Sequence, residues 1–450
     1  MRTHARVLAV TLLSLATSTA SAAPPELRPT LVTRSLDNGL SLVVEEARRS
    51  PLVAIHVAIA GGTAEDPIDR RGLSAVAAEY LEHEASTRHV ARAARAELFR
   101  ELGVAPVSPE VRVEVDRTIL TLRVPPAQLE LALWVLSDLL AFAHDGVEPS
   151  GVARQRAAVA AAGARLAQRQ QIERARAALL VADDHPLGRG ALADAAAIEV
   201  ADVRAHLRDR LGPERTTLAV VGDVDAARTS ALVDKYFGPI VRGAEPPRRA
   251  APPLAPRAAS GVLHVKGVSR GVRVSWLTAP LYEADDVALD VLYQALTPRL
   301  VELLSRHGVT ASFAAARERS TTLGSHFDVE VTSTAPTADV VGAIDAAIAD
   351  VARGLDDAGL RAARATMLRK TAFAAETAAG RAALYADSSA QTRDALFVNK
   401  YLAAYEAVTA DSLAQVVRRA LVRSRRVVLT VVPDADAPAG GRLELGGGDK

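Results

Sequence analysis

A chain of 450 residues, 49% hydrophobic and 24% charged, is too long for one core and too apolar for disorder, so two globular domains of roughly 200 residues each are expected. A formal net charge of +1, with arginines interspersed among acids, leaves no electrostatic footprint for nucleic acid or an anionic membrane. The lack of any cysteine excludes disulfides, thiolate chemistry and a bacterial-type lipid anchor.

Residues 1–22 read as a secretory signal: Arg2 and Arg6 make a positive start, Val7 to Ala16 is a short apolar run, and Ala20-Ser21-Ala22 is a small-residue cleavage site. No later stretch approaches the roughly twenty apolar residues that a membrane span needs. An exported, soluble protein is expected, with the bacterial periplasm as its address.

Downstream, Asn38-Gly39 marks a tight turn and Leu40 to Glu45 a strand, with the apolar, β-branched run Pro51 to Gly62 as its expected partner. After a polar turn (Thr63 to Arg71), Gly72 to Ser86 reads as an Ala-rich amphipathic helix, with another helix at about 90–102. Glu65, Asp66 and Asp69 are read as turn and helix-start acids. Val111 to Val124 alternates as a half-exposed strand. A helix follows from Pro125 to about Ala143, then a long Ala/Arg/Gln helix over 151–180, an Asp-His-Pro loop at 184–186, and a short helix near 200–211. Thr216 to Gly222 is a buried strand, and Asp225 caps a helix ending near Gly238.

Val241 to Ser260 carries five prolines and no periodicity, and reads as a linker (241–260). Beyond it the same order returns: strands near 261–266 and 271–279, a helix over 284–306, strands at 309–317 and 323–332, helices at 336–353, 357–382 and 408–421, and a strand at 426–432. The fold expected is α+β, two homologous halves (23–240 and 261–433), each a mixed sheet flanked by helices. The Asp/Ala/Gly-rich tail, 434–450, is expected to be disordered.

A strand feeding a helix that ends in Glu-His is where a zinc hydrolase places its ligands. The inverted motif His-x-x-Glu-His sets two imidazoles four residues apart on one helical face, with a glutamate base between. The only window of that shape here is Glu79-Tyr80-Leu81-Glu82-His83, and its first position is not histidine.

Four stretches then point to one family: Leu36-Asp37-Asn38-Gly39-Leu40; Gly62-Thr63-Ala64-Glu65-Asp66-Pro67 running on to Gly72-Leu73-Ser74; Asp184-His185-Pro186-Leu187-Gly188; and Val220-Val221-Gly222-Asp223-Val224-Asp225 with Lys235-Tyr236-Phe237-Gly238. In order and spacing the chain resembles the M16 (pitrilysin/insulinase, mitochondrial-processing-peptidase-like) zinc metallopeptidases over about residues 30–432. The resemblance implies two α/β halves hinged by a linker, but not the chemistry. Where active members carry His-x-x-Glu-His, this chain has Ala75, Ala78 and Glu79. Alanines line the helix from Ala153 to Gly163 where the third ligand, a glutamate, is expected. In the second half Arg299 matches the substrate-orienting arginine of active relatives, while the oxyanion-stabilising tyrosine falls on Ala311. A zinc ion needs three protein ligands and an open position for its water, so no metal is expected here, although active relatives bind zinc.

A displaced site at Glu79, Glu82 and His83 is the alternative. The simpler reading of Glu79 and His83 is a solvated pair at i and i+4. His185 is read as a hydrogen-bonded loop residue and His56 as paired within its sheet. Expected overall is a pseudopeptidase: the non-catalytic, peptide-binding partner of an M16 subunit with an intact motif. An active zinc endopeptidase with a displaced site and a peptide-binding scaffold without a protease partner are the alternatives.

Overall fold

The computed structural model describes residues 27, 29–86, 88–102, 109–165, 167–182, 185–188, 195–244 and 258–446. The expected signal segment and most of the linker lie outside them.

The hairpin read from Asn38-Gly39 forms between Leu31–Ser35 (β1) and Ser41–Glu46 (β2). Gly39 takes a φ of +94°, which a side chain would resist, and Asn38 Nδ2 donates to the Phe237 carbonyl at 2.8 Å, anchoring the turn. The first half continues with Val53–Ala60 (β3), Leu73–His83 (α1), Arg92–Glu101 (α2), Glu110–Val113 (β4), Arg117–Val124 (β5), Leu129–Phe142 (α3), Pro149–Arg165 (α4), Ala167–Leu180 (α5), Val200–Arg210 (α6), Thr216–Gly222 (β6) and Ala226–Phe237 (α7). Its sheet runs β1-β2-β6-β3-β5-β4. β3 is therefore not the partner of β2: β6 lies between them, parallel to β2 and antiparallel to β3. Every residue of β6 is buried, and a strand buried along its length satisfies its backbone groups only with a neighbour on each side. The expected strand 111–124 is two strands, turned back at Glu114 to Asp116.

The second half comprises Ala259–Val265 (β7), Gly271–Thr278 (β8), Ala284–Leu296 (α8), Leu300–Arg306 (α9), Phe313–Arg319 (β9), Ser325–Thr332 (β10), Thr337–Gly354 (α10), Asp357–Glu376 (α11), Ala378–Thr392 (α12), Phe397–Ala407 (α13), Ala410–Ala420 (α14), Arg426–Pro433 (β11) and Arg442–Leu445 (β12). The order β12-β7-β11-β8-β10-β9 repeats that of the first half position by position, with one parallel pair, β7–β11, in the equivalent place. The duplication read from the sequence is present, and the fold is a pair of six-stranded mixed sheets flanked by helices. Only the outer strand differs in origin: the N-terminal end of the described chain supplies β1, and the C-terminal end supplies β12. The expectation of a disordered tail is thus corrected over Arg442–Leu445, which pairs antiparallel with β7. β7 would otherwise present an open edge, and Leu443 packs against the apolar cluster that includes Leu263.

Two expected long helices are each two. The 284–306 segment is split by a short turn at Thr297–Arg299; the expected 151–180 helix is helical on both sides of residue 166, which lies outside the described residues. In 357–382 the break falls at Thr377, whose backbone is extended and whose Oγ1 accepts from the Gly380 N–H at 3.0 Å as an N-cap. A Cβ on Gly380 would collide with the Ala374 carbonyl, so this tight joint needs glycine. Residues 383–407, unassigned by periodicity, complete α12 and form α13.

Each half gives a helix to the other. α5 leaves the first half and lies on the second sheet, where Ile172, Ala175 and Leu179 cluster with Leu263, Val427 and Leu429. α12 makes the reverse crossing, setting Ala382, Tyr385 and Ala386 against Val43, Ala58 and Ala219 of the first sheet. β3 shows how sequence permits this. Val53, Ile55, Val57 and Ile59 face the core of their own half, whereas the small Ala54 and Ala58 face α12 and allow close approach. Each buried Leu or Ile contributes about 1.5–3 kcal/mol, so neither sheet is complete without the other half's helix.

Candidate functional site

The start of α1 is fixed before any ligand position is reached. Asp66, buried, accepts from the Gly72 N–H (2.9 Å) and the Ser74 N–H (3.0 Å), and also from the Ser74 hydroxyl. Gly72 stands at φ +95° to turn the chain into the helix. The helix-start reading of Asp66 holds. Glu65 forms ion pairs with Arg210 and Arg215, and Asp69 pairs with Arg70.

Along α1, Ala78 is buried and Ala75 is partly buried against the core, so the first two motif positions carry only methyl groups. Glu79 and His83 meet at the exposed end of the helix. His83 Nδ1 stands 3.6 Å from Glu79 Oε2 and 3.2 Å from the Glu79 carbonyl, and both side chains are about half exposed (46% and 51%). Glu82 is nearby, 3.9 Å from His83 Nε2, but its other oxygen accepts from the Val111 N–H at 2.8 Å and holds β4. The displaced set thus comes together as one imidazole and two carboxylates, all from a single helix end. Among the described residues no group of three or more histidine and acidic side chains is arranged to hold a metal ion.

The residue that does join α1 to α4 was not singled out from sequence. Glu84, 4% exposed, lies just past the end of α1. Arg154 donates to it through Nε (2.8 Å) and Nη2 (2.7 Å), Gln155 Nε2 donates at 3.0 Å, and Arg92 Nε reaches it at 2.6 Å. The hydrogen bonds from Arg154, against the opposing effect of burial, hold the Glu84 carboxyl below its ordinary range. Helix α4 therefore presents a guanidinium and an amide, not an acid, to the end of α1. The signal for this was the Arg154-Gln155 pair within the alanine run, visible only once the helices are packed. Tyr80 adds a second tie, donating to the Gly146 carbonyl (2.9 Å) and accepting from the Glu148 N–H (3.0 Å). As a donor set for zinc the corner does not fit: its one buried carboxylate is fully engaged by cations, and a divalent ion there would meet Arg92 and Arg154.

Arg299 is exposed, beside Gly359 at the start of α11, and shares a depression with Glu302, Arg306, Asp350 and Arg353. Ala311, at the tyrosine position, packs against the second half's core. His185 is buried and accepts from the Leu187 N–H at 3.2 Å, as a loop histidine does. His56 is buried too, but its polar neighbour comes from outside its sheet: Nε2 lies 3.6 Å from Asp387 Oδ1 of α12.

A second polar cluster lies under α8. Asp286 accepts from the hydroxyls of Tyr401 and Ser320 and from the Tyr282 N–H, while Asp290 accepts from Tyr405 (2.5 Å). Burial, with the Asp286 charge adding to it, raises the Asp290 carboxyl to about 7. Glu318, buried beside Thr278, is raised well above its ordinary range by burial.

The fold defines the class: two equivalent α/β halves, each a six-stranded mixed sheet flanked by helices. Comparison with known families and structures agrees. Residues 197–367 match the model described as the peptidase M16 inactive domain. A protease from Helicobacter pylori superposes with a TM-score of 0.78 at 17% identity, covering 90% of this chain and all of that one. A peptidase M16 inactive domain from Pseudomonas fluorescens gives 0.76 at 15% identity, covering 90% and 99%. The periplasmic protease PqqL from Escherichia coli gives 0.71 at 17% identity, covering 91% of this chain but 48% of PqqL, so this chain spans about half its length. No curated protein matches. The resemblance to the M16 peptidases is borne out: the matched segment is of the family's inactive-domain type, and the two-half fold is shared.

Proposed function

We propose that this chain is a non-catalytic M16-like subunit that holds no zinc, binds peptide, and works beside an M16 chain carrying an intact His-x-x-Glu-His. The observation behind this reading is the α1–α4 corner, where Ala75 and Ala78 offer no donor and Glu84 is engaged by Arg92, Arg154 and Gln155. Without a metal no water is acidified and no carbonyl polarised. β4 and β9 stand at the sheet edges, and an extended peptide adds to such an edge through its main chain. A periplasmic address is supported by the signal-like residues 1–22 and by the likeness to a protein named as periplasmic. Among the described residues no helix is long and apolar enough to cross a membrane.

The test is co-expression with an M16 chain of intact motif from the same cell. A stable complex whose peptide cleavage exceeds that of the active chain alone is expected. The isolated chain should carry no stoichiometric zinc, and His83→Ala should leave metal content and stability unchanged to within about half a kcal/mol. Near-stoichiometric zinc lost on that substitution would instead establish the displaced site. Absence of both binding and stimulation would leave the scaffold reading.

A further inference from the structure

Where α5 crosses the second sheet, a cleft of about 350 Å³ opens between the helix, the ends of β8 and β10, and the β4–β5 turn. Its floor is apolar, with Leu180, Leu187 and Leu277 among its walls. Four arginines also line it: Arg169, Arg174 and Arg176 from α5, and Arg319 from the end of β9.

The acids at this place are already taken. Glu173 Oε2 accepts from Arg176 at 3.0 and 2.8 Å, and Oε1 accepts from Arg273 at 2.8 Å. Arg273 also reaches Glu330 at 2.8 Å, and Arg176 lies 3.6 Å from Asp328. Burial alone would raise the Glu173 carboxyl, but the surrounding Arg176, Arg319 and Arg273 bring it down to about 2. Arg169, Arg174 and Arg319 have no side-chain hydrogen bond or ion pair among the described residues. Surplus guanidinium groups above an apolar floor form a receptor for a carboxylate on an apolar body, since the planar fork binds carboxylate in two places at once.

We propose that this cleft binds a small amphipathic carboxylate, with an apolar side chain on the leucine floor and the carboxylate between Arg174 and Arg319; the C-terminal residue of a peptide has this chemistry. The proposal does not depend on the reading of the chain as a partner subunit.

Calorimetric titration of the full chain with N-acetyl-leucine, N-acetyl-leucinamide and inorganic phosphate tests it. Saturable one-to-one binding of N-acetyl-leucine is expected, with no measurable binding of the uncharged amide and weaker binding of phosphate. Arg319→Gln and Arg174→Gln should each weaken binding roughly tenfold. Arg174 is exposed, so its variant should melt as the wild type does. No saturable binding by the wild type, equal binding of the amide, phosphate binding as tight as N-acetyl-leucine, or both variants binding like the wild type would each overturn the assignment.

Discussion

In the first half the buried carboxylate, Glu84, is held by two arginines and a glutamine from α2 and α4. In the second half Asp286 and Asp290 are held by hydroxyls of Tyr401, Tyr405 and Ser320. The strand order around both sites is the same, yet the ionisation goes in opposite directions: guanidinium donors lower the Glu84 carboxyl, while burial raises those of Asp286 and Asp290. A duplicated fold thus repeats the strand order but not the buried carboxylates, which stand just past the end of α1 in one half and in the first turns of α8 in the other. Their ionisation is set by which side chain the neighbouring helix happens to bring.

The halves are tied together by the exchanged helices α5 and α12, and breaking that tie should have the largest effect. Leu179→Asp on α5 and Ala382→Asp on α12 each bury an unpaired charge between a helix and the other half's sheet, at a cost of more than about 4 kcal/mol. Each variant should lose its native melting transition as a whole. A surviving transition from the untouched half would show that the halves are separable.

Glu84→Ala comes next, with an expected loss of about 2 kcal/mol at neutral pH, read from urea unfolding. Because the folded Glu84 pKa lies below its unfolded value, its contribution is present above the unfolded pKa and fades as pH falls through the folded one. The difference between variant and wild type should therefore shrink in acid. A gap that stays constant with pH would mean the ion pairs contribute nothing.

Asp290→Asn should act with the opposite sign. The folded pKa, about 7, lies above the unfolded value, so wild-type stability falls as pH rises from the ordinary carboxylate range to about 7 and is lowest beyond it. The amide keeps an acceptor for Tyr405 and removes the titration. It should stabilise the protein by about 1–2 kcal/mol at pH 8 and not at pH 4. Parallel stability curves for the two proteins between those pH values would refute this.

Local chemistry was legible without coordinates. The Asn38-Gly39 turn, the helix start at Asp66, the buried β6 and the repeated order of elements follow from backbone preferences and from the spacing of apolar residues. The lack of histidine at Ala75, Ala78 and Glu79 was likewise plain. Hidden were the Thr377 joint that splits one periodic run, the pairing of β6 between β2 and β3, and the tail strand β12. Glu84 was hidden as well, because its partners Arg154 and Gln155 are seventy residues distant. Sequence determined that there are two equivalent halves and that the motif helix carries no imidazole at its ligand positions, since turn chemistry, periodicity and side-chain identity are local. Only the tertiary structure decided that α5 and α12 change places between halves and that cations meet the end of α1. A periodic apolar face states that a helix must be covered, and carries no record of which sheet covers it.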